Sequence, residues 1–144
     1  MHKLFYKSGL QSFEFSDFNT INLEDISYIL SGTNIYQFSF NAFNSNKVIN
    51  MSHLLEDYFS LLELITSEVN TENVIDMPYL FKGISSIKGI DLNHFKTNNV
   101  KDMSFMFQDC LSLTYLEIKN VVTNNVTDMS YMFDNCLSLI IVVL

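Results

Sequence analysis

Methionine recurs along this 144-residue chain at a constant interval of 26 residues. Three further columns keep the same interval: a Val three residues before the Met, a Leu or Phe four residues after it, and a Leu or Ile ten residues after it. The four columns are Met51, Met77, Met103 and Met129; Val48, Val74, Val100 and Val126; Leu55, Phe81, Phe107 and Phe133; and Leu61, Ile87, Leu113 and Leu139. An internal period of this length predicts a stack of repeated units, each packed against its neighbours.

The period continues toward the N terminus with one residue fewer in each unit. Ile26 precedes Met51 by 25 residues, and Met1 precedes Ile26 by 25. The whole chain, 1–144, is therefore predicted to be a single array of five to six repeats of 25–26 residues. Because its last apolar segment is followed by no polar capping unit, we expect a fragment or an uncapped array.

Each repeat contains one segment with the alternation of a half-buried strand. In residues 113–118, the apolar Leu116 and Ile118 alternate with polar side chains. Residues 35–40 and 87–92 follow the same pattern. Since stacking places equivalent segments side by side, we expect these strands to form one continuous parallel sheet.

A second segment of each repeat has helical spacing. Met103, Met106 and Phe107 follow an i, i+3, i+4 pattern, which is typical of one face of a short helix. Residues that cap helices well stand just before the Met column, and Pro78 falls in a first turn, where Pro is tolerated. The capping residues are Asp25, Asn50, Asp76, Asp102 and Asp128. The predicted fold class is therefore α/β: a leucine-rich-repeat solenoid with a parallel β-sheet on one face and short helices on the other.

The last repeats resemble a known family. Residues 98–107, residues 110–113 and residues 121–139 are similar to the BspA-like leucine-rich repeat, a mycoplasma-type repeat of unknown function. The repeats nearer the N terminus follow this pattern less closely. The resemblance implies a leucine-rich-repeat fold and a surface-exposed or secreted protein involved in adhesion and protein binding. It implies no catalytic residues.

Composition argues against several classes of function. The net charge is −8 and the chain contains no Arg, which disfavours nucleic-acid binding because phosphate and base recognition rely on basic side chains, Arg above all. No apolar run is long enough to insert in a membrane, and the N terminus does not read as a signal peptide. That last point leaves a cytoplasmic location open.

The Cys and His side chains of interest occupy positions that suit core packing better than a catalytic or metal-binding site. Cys110 and Cys136 occupy a column filled elsewhere by Tyr, Ile and Thr, which predicts burial, and whether they are bonded stays open. His53 occupies a column that is otherwise aromatic, which predicts a partly buried ring. The aromatic members of that column are Tyr28, Tyr79, Phe105 and Tyr131. We therefore expect no metal site, no cofactor and no catalytic residues.

The outward face of the predicted sheet is the candidate protein-binding face. Side chains that alternate with the buried strand positions are polar or acidic, with one aromatic among them. They are Glu14, Gln37, Ser39, Glu63, Asp91, Tyr115 and Glu117. We expect a non-enzymatic protein-binding or adhesion module, with an intracellular scaffold or regulatory interaction protein as the alternative.

The expected partners are proteins, including host or matrix proteins, and the family resemblance places the chain at the cell surface or outside the cell. The end of the chain adds a second expectation about partners. Residues 140–144 are all apolar, and an apolar edge strand favours self-association.

Overall fold

The computed structural model describes residues 1–13, 19–41 and 43–144. Its regular secondary structure consists of short strands, and each has three residues. They are β1 (Gln37–Ser39), β2 (Glu63–Ile65), β3 (Gly89–Asp91), β4 (Tyr115–Glu117) and β5 (Ile141–Val143). Each strand falls at the same place in its repeat, so the strands follow the period of the sequence.

The strands form two parallel sheets, and the prediction of one continuous sheet is wrong. β1 pairs with β2, and β3, β4 and β5 pair in that order. Elsewhere the residue after the strand donates its backbone amide to the next repeat, as Leu92 does to the Glu117 carbonyl oxygen at 2.8 Å. At the break, the Thr66 side-chain hydroxyl donates to the Asp91 carbonyl oxygen at 3.0 Å instead. A side-chain hydrogen bond thus replaces one rung of the ladder between β2 and β3.

The predicted helices are also wrong, and with them the α/β leucine-rich-repeat class with helices on one face. The described residues contain no helix, and the segments with helical spacing consist of tight turns. In each repeat two residues of this segment have left-handed backbone angles; in one repeat they are Phe105 (φ 57°) and Asp109 (φ 60°). A left-handed residue every fourth position prevents a continuous right-handed helix.

The backbone hydrogen bonds show why turns replace helix. The Phe105 and Phe107 amides donate to the carbonyl oxygens of Ser130 and Met132 in the next repeat, at 2.9 and 3.0 Å. The amide of Gln108, which lies between such positions, closes a local turn onto the Phe105 carbonyl at 3.1 Å. Along this segment, amides that donate to the neighbouring repeat therefore alternate with amides that close local turns. The apolar i, i+3, i+4 spacing is satisfied by this arrangement as well as by a helix.

The Asp and Asn column has a different role from the predicted helix capping. These five residues form consecutive parallel β-bridges from one repeat to the next. In four of them the side chain accepts from the backbone amide two residues on, as Asp102 Oδ1 does from Ser104 at 2.8 Å. Asp76 is the exception, because Pro78 has no amide hydrogen to donate. The interaction in the other four is the side-chain turn that Asp and Asn form with their own backbone. It begins the turn segment of the repeat in the place of a helix N-cap.

The core consists of apolar side chains at equivalent positions of successive repeats, and it runs through the middle repeats. Val74, Met77, Phe81 and Ile87 are all buried, and so are their equivalents one repeat before and after. In residues 126–144 only Met132 among the hydrophobic side chains is fully buried. The core therefore thins toward the C-terminal end of the stack. Within the described residues, no helix is long and apolar enough to cross a membrane.

Candidate functional site

The strand register aligns the predicted binding face. Gln37 lies opposite Glu63 on β1 and β2, and Ser39 lies opposite Ile65. On the second sheet Asp91 lies opposite Glu117. The side chains that point away from the core therefore form two columns along each sheet, which we call the sheet face. The break between β2 and β3 divides it into two parts.

Two further candidate residues lie on the strands, and a third lies outside the described residues. Tyr115 lies opposite Gly89, which has no side chain to compete with the tyrosine ring for space. Glu63 is exposed at the first position of β2, on the first part of the sheet face. Glu14 lies outside the described residues. Of the seven predicted residues, six are thus placed on or beside one exposed face.

Glu117 is held by two donors on this face. Lys119 Nζ lies 2.6 Å from Glu117 Oε1, and the Tyr115 hydroxyl donates to Glu117 Oε2 at 2.6 Å. These hydrogen bonds, from Lys119 first and then Tyr115, lower the pKa of Glu117 to about 2. The bond to Glu117 in turn raises the pKa of Tyr115. Glu117 is ionised at neutral pH but neutralised by Lys119, so Asp91 and Glu63 carry the free negative charge of the sheet face.

A second exposed feature is an aromatic ladder, formed by Tyr28, His53, Tyr79, Phe105 and Tyr131. Adjacent rings are stacked, with centroid separations that rise from 4.1 Å at the first pair to 5.0 Å at the last. The sequence signal was the shared column, which predicted a partly buried ring at His53 and not the stacking. The rings shield each other's faces and expose their edges, except that Tyr131 at the end is 63% exposed.

Cations and one carboxylate surround the aromatic ladder. Lys3 Nζ lies 5.0 Å from the centre of the Tyr28 ring, and Lys82 Nζ lies 5.4 Å from that of Tyr79. His53 Nδ1 is 2.9 Å from Glu56 Oε2. Lysine ammonium groups at this distance are attracted by the ring electrons. The ladder is a structural spine with a basic rim, and its rings leave no gap for a flat ligand between them.

An open groove of about 700 Å³ runs along another face of the stack. Its floor includes a column of asparagines whose side-chain amides donate to backbone carbonyls of the preceding repeat. Asn73 donates to Asn46 at 2.7 Å, and Asn99 donates to Glu72 at 2.7 Å. These amides connect neighbouring repeats, so their role in the groove is to hold the stack together.

The described residues offer no constellation for metal or nucleophilic chemistry. No group of three or more His, Cys, Asp or Glu side chains among them could hold a metal ion. The thiols of Cys110 and Cys136 are not bonded to each other; each donates to a backbone carbonyl, of Phe81 at 3.2 Å and Phe107 at 3.0 Å respectively. Burial raises the pKa of Cys110 to about 12, which keeps it in the unreactive thiol form.

Stacked repeats joined by parallel bridges, with exposed columns and a shared core, define a repeat protein. The chain belongs to the family described as Mycoplasma protein of unknown function, DUF285, whose model matches residues 1–65 and 39–140. No curated protein and no solved structure matches the chain. The family thus agrees with the mycoplasma-type repeat that the sequence indicated, and its description assigns no activity.

Proposed function

We propose that the chain is a non-enzymatic protein-binding module of the BspA-like type and that the sheet face is its contact surface. The observation that carries the proposal is the register of the strands, which fixes exposed side chains in columns on a repeated backbone. Solenoid and other repeat proteins use such extended surfaces to bind proteins through many small contacts. A surface of this kind needs no deep pocket.

The chemistry of the sheet face favours a basic partner. Glu63 and Asp91 are exposed carboxylates without an ion pair among the described residues, and the whole chain carries a net charge of −8. Tyr115 adds an aromatic side chain of the kind that contributes strongly to protein interfaces. Complementary charge raises the rate of association and selects partners. We therefore propose a partner with a basic surface.

The family resemblance extends the proposal to location and partner. A BspA-like protein at the cell surface would bind host or matrix proteins, and adhesion would be the result of that contact. An intracellular scaffold would use the same face for a cytoplasmic partner. Both versions assign binding to the same residues of the sheet face. One set of variants therefore tests whether that face binds a protein.

Binding of the purified chain to a panel of immobilised extracellular-matrix proteins and to cytoplasmic proteins tests both versions. We expect the double charge reversal Glu63→Lys and Asp91→Lys to weaken the strongest interaction at least tenfold, with a smaller loss for Tyr115→Ala. The control is Lys101→Glu, in the groove on another face. Equal binding by the double reversal and the unmodified chain would reject the sheet face.

A further inference from the structure

The groove of about 700 Å³ is built on an extended segment of each repeat that is separate from the strands β1 to β5. In one repeat, buried Val74 lies between Asn73 and Ile75, which both line the groove. The Ile75 amide donates to the Ile49 carbonyl oxygen at 2.8 Å, and the Lys101 amide donates to the Ile75 carbonyl oxygen at 2.9 Å. These bonds hold the lining side chains in two columns with the spacing of neighbouring strands, about 4.8 Å per repeat.

One of these columns presents a row of fixed side-chain amides. Asn73, Asn99 and Asn125 each donate from Nδ2 to a backbone carbonyl oxygen of the preceding repeat, at 2.6–2.7 Å. Their Oδ1 atoms accept no hydrogen bond from any described residue. Each amide therefore keeps one acceptor and one further N–H donor for a ligand. Because a hydroxyl group both donates and accepts, a row of amides of this kind matches a ligand with a row of hydroxyl groups.

Two lysines line the groove two repeats apart, about 10 Å along the stack. Lys47 Nζ donates to Asn22 Oδ1 at 2.8 Å, which holds the ammonium group in place and leaves it two further donors. Lys101 is exposed and forms no ion pair with any described residue. Between the two lysines the lining residues are asparagine and isoleucine, and the only carboxylate among the lining residues is Glu24, at one end of the groove.

Carboxylates next to the groove are already engaged. Glu72, which precedes a groove asparagine, is paired with Lys96 at 2.5 Å. Asp102, which follows Lys101, accepts from the Ser104 amide and so belongs to the turn segment. The middle of the groove is therefore locally basic although the chain as a whole carries a net charge of −8. An anionic ligand would be drawn to this one place on the molecule by its complementary charge.

The spacing of the groove fits a chain of sugars better than a peptide. A peptide strand cannot pair with the backbone here, because groups such as the Ile75 amide and carbonyl already bond to the neighbouring repeats. An extended peptide rises about 3.3 Å per residue, whereas the repeats are about 4.8 Å apart, so its side chains would lose register with the columns. A β-linked pyranose residue advances its chain by close to one repeat. Its apolar ring face can pack on Ile49, which is 39% exposed in the groove.

We propose that the groove binds a linear polysaccharide of β-linked sugars in which every second sugar carries a carboxylate. The amides of Asn73, Asn99 and Asn125 hydrogen-bond hydroxyl groups of successive sugars. Lys47 and Lys101, two repeats apart, pair with carboxylates that are two sugars apart. The site is separate from the sheet face, and its ligand is opposite in charge to the basic protein partner proposed there.

Isothermal titration calorimetry of the 144-residue chain with a hyaluronan octasaccharide, in which alternate sugars are glucuronate, tests this site. We expect binding that the double variant Lys47→Gln and Lys101→Gln weakens at least tenfold. The matched control is Lys7→Gln with Lys88→Gln, which removes two exposed lysines outside the groove and should leave binding unchanged. All four substitutions are at exposed side chains, and equal thermal melting curves check that both variants stay folded.

Two comparison ligands separate the proposal from its alternatives. A neutral chitin octasaccharide and a short polyglutamate peptide should each bind at least tenfold more weakly than the hyaluronan octasaccharide. Equal binding of the neutral sugar would overturn the pairing of carboxylates with lysines. Equal binding of polyglutamate would assign the groove to acidic peptides and overturn the proposal, as would a hyaluronan octasaccharide that does not bind.

Amide chemical shifts of the unmodified chain locate the ligand without any variant. Addition of the hyaluronan octasaccharide should shift the amide signals of Ile75 and Lys101 and leave those of Glu63 and Asp91 in place. Shifts confined to the sheet face would overturn the groove as the binding site. The double reversal Glu63→Lys and Asp91→Lys should not weaken binding of the sugar, so loss of protein binding at the sheet face and loss of sugar binding in the groove are separate results.

Discussion

Two positions in every repeat have a left-handed backbone. One lies two residues after the Met column and the other lies six residues after it, with φ between 52° and 72°. The second column contains Lys7, Gly32, Asp57, Gly83, Asp109 and Asn135. Gly, Asp and Asn are the residues that tolerate this conformation best. Their recurrence was a sequence signal for a turn, and it argued against a helix in that segment.

Gly83 tests the importance of this column. Its φ is 72°, and a Cβ atom there would lie 2.6 Å from Asp57 Oδ1 and 3.4 Å from the Asp57 Cα. We expect Gly83→Ala to lower the free energy of unfolding by about 1–2 kcal/mol, since alanine pays for the left-handed conformation and Asp57 must move.

Urea titration followed by circular dichroism measures the effect of Gly83→Ala. The matched control is Gly9→Ala, where a Cβ atom meets nothing within 4 Å. We expect a change of less than about 0.5 kcal/mol there. Equal costs at the two positions would contradict the strain argument.

The two cysteines should differ in reactivity although they share a column. Burial raises the pKa of both thiols, and it raises that of Cys110 to about 12. At pH 8 only about one Cys110 thiol in 10⁴ would then be ionised, and alkylation requires the thiolate. Cys136 is only half-buried, because no further repeat covers it within the chain.

We expect iodoacetamide at pH 8 to modify Cys136 at least ten times faster than Cys110 in the folded protein. Peptide mass spectrometry measures the two rates separately. In concentrated urea both should react at the same rate, which controls for local sequence. Faster modification of Cys110 in the folded protein would mean that its burial is not maintained in solution.

At the scale of elements, the aromatic ladder compensates for strained backbone. Tyr28, His53, Tyr79, Phe105 and Tyr131 all occupy left-handed positions, where bulky residues are disfavoured. Each ring stacks on the next, and each backbone amide of the interior members donates to the following repeat. Stacking and ladder hydrogen bonds are therefore formed by the same residues that carry the strain.

A double-mutant cycle measures the stacking directly. Tyr79 and Phe105 are adjacent rings, 4.6 Å apart at an interplanar angle of 4°. We expect Tyr79→Ala and Phe105→Ala to show a coupling of about 1 kcal/mol in the free energy of unfolding. The pair Tyr79 and Tyr131 is the control, since Phe105 separates them, and its effects should add. Coupling of equal size in both pairs would indicate a general loss of structure and not ring stacking.

The sequence predicted where the elements lie better than it predicted whether a segment forms a helix or turns. The strands fall inside or beside the segments that alternation marked, and Met51, Met77 and Met103 of the Met column are buried, whereas Met129 is exposed. Periodicity reports only which side chains are buried, and an i, i+3, i+4 set is buried by turns as well as by a helix. A helix and a series of turns differ in which carbonyl oxygen each backbone amide donates to. In this chain many of those carbonyl oxygens belong to a neighbouring repeat, which the local pattern does not describe. The break between β2 and β3 is also invisible to the local pattern, because it depends on the hydrogen bond from the Thr66 side chain to the neighbouring repeat.

At the scale of the whole molecule, each repeat is stabilised mainly by its two neighbours. The candidate face was predictable because side-chain alternation fixes which residues point outward. Its electrostatics were not, because the neutralisation of Glu117 needs the position of Lys119, two residues beyond the strand.

A stack with this organisation should open from its ends. The central repeats contain most of the buried side chains, whereas the last repeat contributes Met132 alone among fully buried hydrophobic residues. Stability in such arrays is a sum of terms between nearest neighbours, so local opening is cheapest at the ends. The Leu55 and Phe81 amides, both bonded to the next repeat, should exchange most slowly, and that of Phe107, bonded to the last repeat, should exchange faster.

Hydrogen exchange measures this gradient, and Met132→Ala sharpens it. Loss of this buried side chain should cost about 2 kcal/mol in the last repeat and speed exchange at Phe107 about thirtyfold. Exchange at Leu55 should change little, because two repeats separate its repeat from that of Met132 and each repeat contacts only its neighbours. Equal acceleration at both amides would show that the whole stack opens in one cooperative step, and the nearest-neighbour description would then fail.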